Sequence, residues 1–213
     1  MGEVIGKETG GRMNKLQPGC LDGVTVLDFT WVLAGPHGTK MLADMGATVI
    51  KIEQHPIGAI ERYLSMRIEH DGVPQSSYSI NVNRGKKSVC VNMKDPKGMA
   101  VIHDLIKKSD VIVENFSPGV MKRLKLDYET VKKIKKDIVY CSISCFGQYG
   151  PKSHLSGYDM IAQGASGWTN QSEQIQIAPV SIGDTLAGIH AALAVSSALF
   201  ARQVQGIGQY IDI

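Results

Sequence analysis

Apolar residues along the chain fall into short runs separated by segments of helical period. Val24–Phe29 is a β-branched run, and Pro36–Met45 a helix-like segment that Gly46 ends. Thr48–Glu53 (TVIKIE) reads as a second strand and Ser88–Asn92 as a third. Between Gln54 and Val82 the pattern loses its period, and short helices and loops are expected there. Asp95-Pro96 has the form of an N-cap followed by proline at the first helical position, opening a helix through Lys108. Val111–Glu114 is a fourth strand, Pro118–Leu124 and Tyr128–Lys136 are two short helices, and Asp137–Ser144 is a fifth strand. Lys132, Lys133, Lys135 and Lys136 form a solvated face. A long helical pattern, Thr185–Gln203, and a turn at Gly206–Gly208 lead into an alternating strand, Gln209–Ile213.

Repeated strand–helix units of this length predict an α/β fold, an open and mostly parallel sheet with crossover helices. Residues 1–20 read as a disordered leader and 21–213 as one large domain, with no internal repeat or break in composition. A sheet strand that stops at the last residue is what a partial sequence leaves. Met1–Gln17 is polar and glycine-rich, without the apolar centre of a signal peptide. Leu186–Phe200 is interrupted by Gly188, His190, Ser196 and Ser197, and falls short of the roughly 20 apolar residues of a membrane span. The expectation is a soluble, cytoplasmic protein.

Composition changes this picture little. Hydrophobic residues at 43% and charged residues at 20% are ordinary globular usage, which excludes a disordered or collagen-like chain. A net charge of +3 is too small and too dispersed for a nucleic-acid surface. Cys20, Cys90, Cys141 and Cys145 lack metal-ligand spacing and have no histidine near them, so free thiols, buried or half-buried, are expected and no metal. The six histidines form no convincing pair, and G-x-S-x-G, P-loop and H-E-x-x-H patterns are absent.

In an open α/β sheet, ligands gather at the carboxyl ends of the strands, which directs attention to four segments. Thr30–Thr39 (TWVLAGPHGT) places Gly35 and Gly38 ahead of a helix, where backbone amides suit a phosphate or simply make a tight turn. Asn83–Lys87 (NRGKK) is a compact cationic loop. Asn115–Gly119 (NFSPG) offers an aromatic ring, with Arg123 in the following helix. Such cations and rings suit a nucleotide with phosphates, or an ordinary solvated loop. In Val180–Gly188 (VSIGDTLAG), Asp184 stands at a helix start beside Gly183. It is either a cap for the first turn or a nucleophile kept ionised by the helix terminus and open to substrate on the glycine side.

These blocks taken together resemble one family. Leu21-Asp22-Gly23 followed by VLDFTWVLAGP, then LADMGATVIKIE, NRGKKSV, DVIVENFSPGVMKRL and IGDTLAGIHAAL, is similar to the class III CoA-transferases. The resemblance runs from about Leu21 to Ile213 in the family's order. It extends to the related α-methylacyl-CoA racemases, which share the fold.

The resemblance implies a Rossmann-like large domain and a second, small domain largely missing from this chain, in a homodimer of two interlocked rings. It implies acyl-CoA and carboxylic acid substrates and no permanently bound cofactor. It places the catalytic aspartate at Asp184. CoA contacts are implied at Leu33 and Ala34, at Val91, Asn92, Met93 and Lys94, at Asn115, Phe116 and Ser117, at Arg123, and along Ser156, Gly157, Tyr158 and Asp159. Three positions depart from relatives. Leu33 stands where formyl-CoA transferases have glutamine, which counts against formyl or oxalyl specificity. Gln54 replaces a common arginine, a CoA contact that Arg84, Lys86 or Lys87 would then supply. Tyr158 stands where racemases have their catalytic histidine, and a phenol is a poor base near neutrality. The implied reaction moves CoA from a thioester to a free acid through an aspartyl intermediate. Racemisation of a 2-methylacyl-CoA and CoA binding without turnover are the alternatives.

Overall fold

The computed structural model describes residues 18–64, 67–170 and 173–213, so the expected leader lies outside the described residues apart from residues 18–20. Along the chain, β1 (Thr25–Asp28), α1 (Ala34–Asp44) and β2 (Thr48–Gln54) are followed by a 3₁₀ turn at Ile60–Tyr63. Next come a hairpin of β3 (Arg67–His70) and β4 (Val73–Ser76), then α2 (Ser77–Asn83) and β5 (Lys87–Val91). The second half runs α3 (Pro96–Lys107), β6 (Val111–Glu114), α4 (Val120–Arg123), α5 (Tyr128–Ile134) and β7 (Val139–Ser142). It ends with α6 (Asp159–Ala165), a 3₁₀ turn at Trp168–Asn170, α7 (Ile182–Gln205) and β8 (Tyr210–Asp212).

Six strands form one parallel sheet in the order β5-β2-β1-β6-β7-β8. Counting only these strands, the order is that of a doubly wound nucleotide-binding fold, which reverses direction between β1 and β6. Side chains alternate across the sheet. Val26, Val111, Val113, Val139, Cys141 and Ile143 pack in one core with residues of α1 and α7. Leu27, Ile112 and Tyr140 pack in the other with Ile102 and Ile106 of α3 and Val131 of α5. Burial on both faces is why these strands read as unbroken apolar runs.

The carboxyl end of β1 carries charge into this interior. Asp28 is fully buried, accepts from Thr39 Oγ1 at 2.7 Å and from Lys86 Nζ at 2.9 Å, and holds the Thr30 amide at 2.9 Å. Burial opposes its ionisation, but Lys86 and then Lys51 outweigh that and hold the carboxyl well below the usual carboxylate range. On β2, Lys51 pairs with the buried Glu61 at 2.7 Å and donates to the Thr30 carbonyl at 2.7 Å. Glu53 is bound by Arg62, Ser88 and the Ala59 amide. Burial pushes its carboxyl upward, but those donors prevail and bring it to about 2. The segment after β2 therefore folds back onto the sheet through ion pairs.

Several elements differ from the pattern read along the chain. The stretch expected to be irregular contains the β3–β4 hairpin. Its turn residues, Asp71 and Gly72, have φ of 51° and 73°, and positive φ at both central positions is what a two-residue primed turn demands. Ser76 then caps α2, accepting from the Ser79 amide at 3.2 Å. Helix α7 begins at Ile182, before Thr185, and its 24 residues are long and apolar enough to cross a membrane by length and composition. Ala191, Ala192, Val195 and Ala198 are nevertheless buried in the core beneath it. Cys141 is buried and Cys145 half-buried as expected, but Cys20 and Cys90 are exposed.

Gly35 and Gly38 lie inside α1, Gly35 against the Thr30 side chain and Gly38 against α7. A Cβ on Gly38 would come within 2.8 Å of the Gly188 carbonyl oxygen on α7. One on Gly188 would meet the Ala34 carbonyl oxygen at 2.7 Å and the Gly38 nitrogen at 3.0 Å. Both obstacles are backbone, so neither yields without moving a helix. Gly188→Ala is therefore expected to destabilise the fold by about 1–3 kcal/mol, as overpacking does. Urea unfolding followed by circular dichroism measures it, and a midpoint unchanged from wild type contradicts this account of the crossing.

Candidate active site

The reversal in strand order opens a crevice between the carboxyl ends of β1 and β6. Two residues span it reciprocally. The Trp31 amide donates to Asn115 Oδ1 at 2.9 Å, and Asn115 Nδ2 donates to the Trp31 carbonyl at 2.9 Å. The rings of Trp31 and Phe116 lie 5.8 Å apart above this clamp. Val32 follows at φ 63°, a left-handed conformation costly for a β-branched side chain. The clamp on its neighbour holds that strained turn between β1 and α1.

Beside the turn is a hollow of about 210 Å³ lined by Leu33, Ala34, Asn115, Cys145, Gly157, Tyr158, Gly183 and Asp184. A smaller hollow of about 90 Å³ shares Trp31, Asn115, Ser144, Cys145, Gly157 and Tyr158 with it and adds Phe116, Ser117 and Ser156. The two make one groove with Asp184 at one end and the Phe116–Ser156 pair of loops at the other. Across the far end, the hydroxyls of Ser117 and Ser156 stand 3.2 Å apart. Gly157 is required where Cys145 presses in, since a Cβ there would lie 2.5 Å from the cysteine sulfur.

Asp184 is the third residue of α7 and is not its cap. Ser181 occupies the cap position without a side-chain hydrogen bond. The Asp184 amide instead donates to Oδ1 of Asp159 at 3.1 Å, while Gln163 donates to Oδ2 of the same carboxylate at 2.6 Å. Asp159, buried at the start of α6, thus supplies the cap from outside the helix. Gly183 serves this contact and not substrate access, because a Cβ on it would meet Asp159 Oδ1 at 3.1 Å and the Ala162 methyl at 3.3 Å. The Asp184 carboxylate is left without a hydrogen bond among the described residues. Burial, and then the charge of Asp159, raise its pKa to about 6. The helix terminus does not keep it at an ordinary carboxylate value, although it is still chiefly ionised at pH 7.

Of the residues expected from the resemblance, Asp184, Leu33, Ala34, Asn115, Phe116, Ser117, Ser156, Gly157 and Tyr158 line the groove. Asp159 lies beneath it. Gln54, Val91, Asn92, Met93, Lys94 and Arg123 line neither hollow. They stand on the same carboxyl edge of the sheet, at and after the paired ends of β2 and β5 and in α4. The cationic loop divides. Lys86, its side chain 1% exposed, is committed to Asp28, Arg84 pairs with Asp44 at 2.6 Å, and Lys87 is exposed on the edge strand. Lys86 is therefore unavailable to a phosphate. Trp31, Val32, Pro118, Gly183 and Ala187 lie in segments singled out from the sequence, while Ile143, Ser144, Cys145, Leu155 and Ala162 line the groove without having been named as site residues. Ser144 and Cys145 directly follow β7, and position beyond a strand's carboxyl end was the available signal. A separate hollow of about 340 Å³ lies at the ends of β6, β7 and β8, lined by Glu114, Gln148 and four tyrosines, and it shares only Ser117 with the expected site. Among the described residues no cluster has the makings of a metal site.

The raised pKa of Asp184 fixes a sign. Between the unfolded carboxyl's pKa near 3.8 and the folded value of about 6, the native state holds the proton more tightly, so stability falls as pH rises through that window. Ionised Asp184 thus weakens the fold at neutrality. Asp184→Asn should unfold at a higher temperature than wild type at pH 7, with the difference shrinking toward pH 4. Calorimetry at the two pH values tests this, and a variant less stable at pH 7 than wild type rules it out.

Comparisons with known proteins identify the family. The family model CoA-transferase family III matches residues 21–213. Among curated relatives, the human succinyl-CoA:glutarate CoA-transferase is 40% identical over 208 residues, covering 94% of this chain and 45% of its own. The acetyl-CoA:oxalate CoA-transferase of Acetobacter aceti is 39% identical over 200 residues, covering 92% of this chain and 50% of its own. The crystal structure of a CAIB/BAIF family protein from Brucella suis superposes with a TM-score of 0.88 at 35% identity, covering 92% of this chain and 53% of that one. The chain spans about half the length of the relatives it matches. With the match running from Leu21 to the last residue, the chain belongs to CoA-transferase family III.

Proposed function

We propose that the protein of which this chain forms the CoA-binding domain transfers CoA from an acyl-CoA to a free carboxylic acid, with Asp184 as the covalent carrier. The observation that carries this reading is the Asp184 carboxylate, at the head of α7, unpartnered and facing a groove at the sheet's reversal point. The carboxylate attacks the thioester carbonyl, the carbon–sulfur bond breaks, and CoA leaves as its thiolate, giving an acyl-aspartyl anhydride. The thiolate attacks the aspartyl carbonyl and releases the donor acid, leaving an aspartyl-CoA thioester. The acceptor carboxylate attacks that thioester in turn and forms a second anhydride. Thiolate attack on the acceptor's acyl carbon releases the new acyl-CoA and regenerates Asp184. Asp159 acts as a positioning residue by fixing the backbone beneath the nucleophile.

Leu33 and Ala34 border the reacting carboxylate, and Phe116 with the two serines borders the far end of the CoA arm. Val91, Asn92, Met93, Lys94, Gln54 and Arg123 lie farther along the same edge, where the nucleotide end of CoA is placed in this reading. The relatives' printed acceptors, glutarate and oxalate, make a dicarboxylate the first acid to assay. A cytoplasmic homodimer completes the proposal. Leu193, Phe200 and Val204 form an exposed apolar stripe on α7, which a partner or a further domain would cover.

Asp184→Asn tests the nucleophile in the full-length polypeptide. The amide cannot attack a thioester, and transfer between acyl-CoA and glutarate should fall by at least about a thousand-fold, on the scale of losing a triad member. Hydroxylamine added to wild type with acyl-CoA should leave a hydroxamate on the peptide containing Asp184. Near-normal turnover by a folded Asp184→Asn protein refutes the mechanism.

The racemase alternative needs a base on each side of the α-carbon. Tyr158 borders both hollows and is mostly exposed, where that chemistry calls for an imidazole. Incubation with a 2-methylacyl-CoA in deuterated buffer should therefore show no deuterium at the α-carbon by mass spectrometry. Incorporation at the rate of turnover restores the racemase reading.

A further inference from the structure

Three buried side-chain polar atoms among the described residues lack a hydrogen-bond partner: Glu61 Oε2, Gln148 Nε2 and Ser144 Oγ. An orphaned buried hydroxyl is unusual in a folded protein, and a bound ligand is one of its ordinary explanations. Ser144 is the one of the three that lines the groove, and it belongs to both hollows at the place where they join. Its backbone is held in place. The Ser144 amide donates to the Ile213 carbonyl at 2.9 Å, and the Ile213 amide to the Ser142 carbonyl at 2.9 Å. Ser144 thus sits on a segment anchored by the residue that follows β8, where the two hollows join.

We infer that Ser144 is a positioning residue that hydrogen-bonds an amide of the pantetheine arm and thereby sets the distance from thioester to Asp184. A hydroxyl both donates and accepts, so it matches a secondary amide from either side. The neighbouring lining consists of Trp31, Ile143, Cys145 and Gly157, which suits the apolar stem of such an arm. Once the groove is filled, the hydroxyl has its partner; before that, its desolvation is uncompensated. This inference rests on the CoA-transferase reading, since it assigns the groove to an acyl-CoA.

The test compares wild type with Ser144→Ala in the full-length polypeptide, using an acyl-CoA and the corresponding acyl ethanethiol ester, which has no amide. With acyl-CoA the variant's KM should rise about ten-fold, the loss of one good hydrogen bond, while kcat stays within about two-fold. With the ethanethiol ester the two proteins should have equal kcat/KM. The melting temperature of the free variant should not fall, because an unpartnered buried group is removed. Ser144→Thr, which keeps the hydroxyl, should recover most of the acyl-CoA KM. Ser144→Cys, close in size and a weak donor, takes the same comparison if the alanine protein folds poorly. An unchanged KM for acyl-CoA, or an equal loss with both thioesters, overturns the inference. Hydroxamate formation at Asp184 in wild type separates the two levels. If it forms and Ser144→Ala is silent, only the role of Ser144 fails; if it does not form, the CoA-transferase reading fails first.

Discussion

The position of Asp184 is set by two helices touching backbone to backbone. Gly188 lies one turn beyond Asp184 on the same face of α7, and any Cβ there would strike the Ala34 carbonyl. Gly38 permits the same approach from α1. Ala34 itself borders the groove, so the contact that fixes the crossing also fixes the distance between the α1 entry turn and the Asp184 carboxylate. Side-chain packing would tolerate small slides of one helix on the other. Backbone against backbone does not, which suits a site where an ångström matters.

A second constraint comes from charges placed inside the sheet. Asp28 and Lys51 are register partners on β1 and β2, and each finds its counter-charge in the segment between β2 and β5. Buried pairs of this kind are weak evidence for stability, because desolvation offsets their attraction, but breaking one leaves an uncompensated charge. Their effect here is to specify where that segment lies. Lys86 and Glu61 have one low-energy place each, and the residues between them, including the β3–β4 hairpin and α2, follow. Asp28 ends β1 at the crevice, and Lys86 compensates its charge there.

What could be read from the chain follows from this physics. The parallel strands announced themselves as apolar runs because both faces are buried, and their order along the chain yielded the alternation of layers. The hairpin at Asp71-Gly72 was not read from the sequence, because the short strands beside that turn carry Glu, His, Pro and Gln and lack alternation. The fate of the NRGKK loop was not legible. Lys86 and Lys87 are adjacent and chemically identical, and only the fold decides that one meets Asp28 while the other faces solvent. Asp184 was visible as a helix-start aspartate, but that it does not cap the helix follows from the helix starting at Ile182, with the Asp184 amide donating to Asp159, 25 residues away. Ser144 and Cys145 offered only their position just beyond β7 as a sign, since what brings them to the groove is where β7 ends relative to α7.

The pair Asp159 and Asp184 also explains why a carboxylate can serve as the proposed carrier. A carboxylate at its ordinary pKa of 3.8 is a poor nucleophile toward a thioester whose leaving thiol has a pKa of about 8.5, because the equilibrium favours return of the thiolate. Burial and the neighbouring negative charge bring Asp184 to about 6, which narrows that gap by roughly two units. The anhydride becomes less unfavourable, yet the carboxylate remains the better leaving group, so the thiolate can still return and the exchange stays reversible. Asp159 contributes twice to this balance. Its charge raises the basicity of Asp184, and its acceptance of the Asp184 amide fixes the backbone that carries the carboxylate. Asp159→Asn would keep the acceptor for the Asp184 amide and lose the charge, while turning the Gln163 contact into two opposed donors, so the two effects separate only with a loss of support beneath α6.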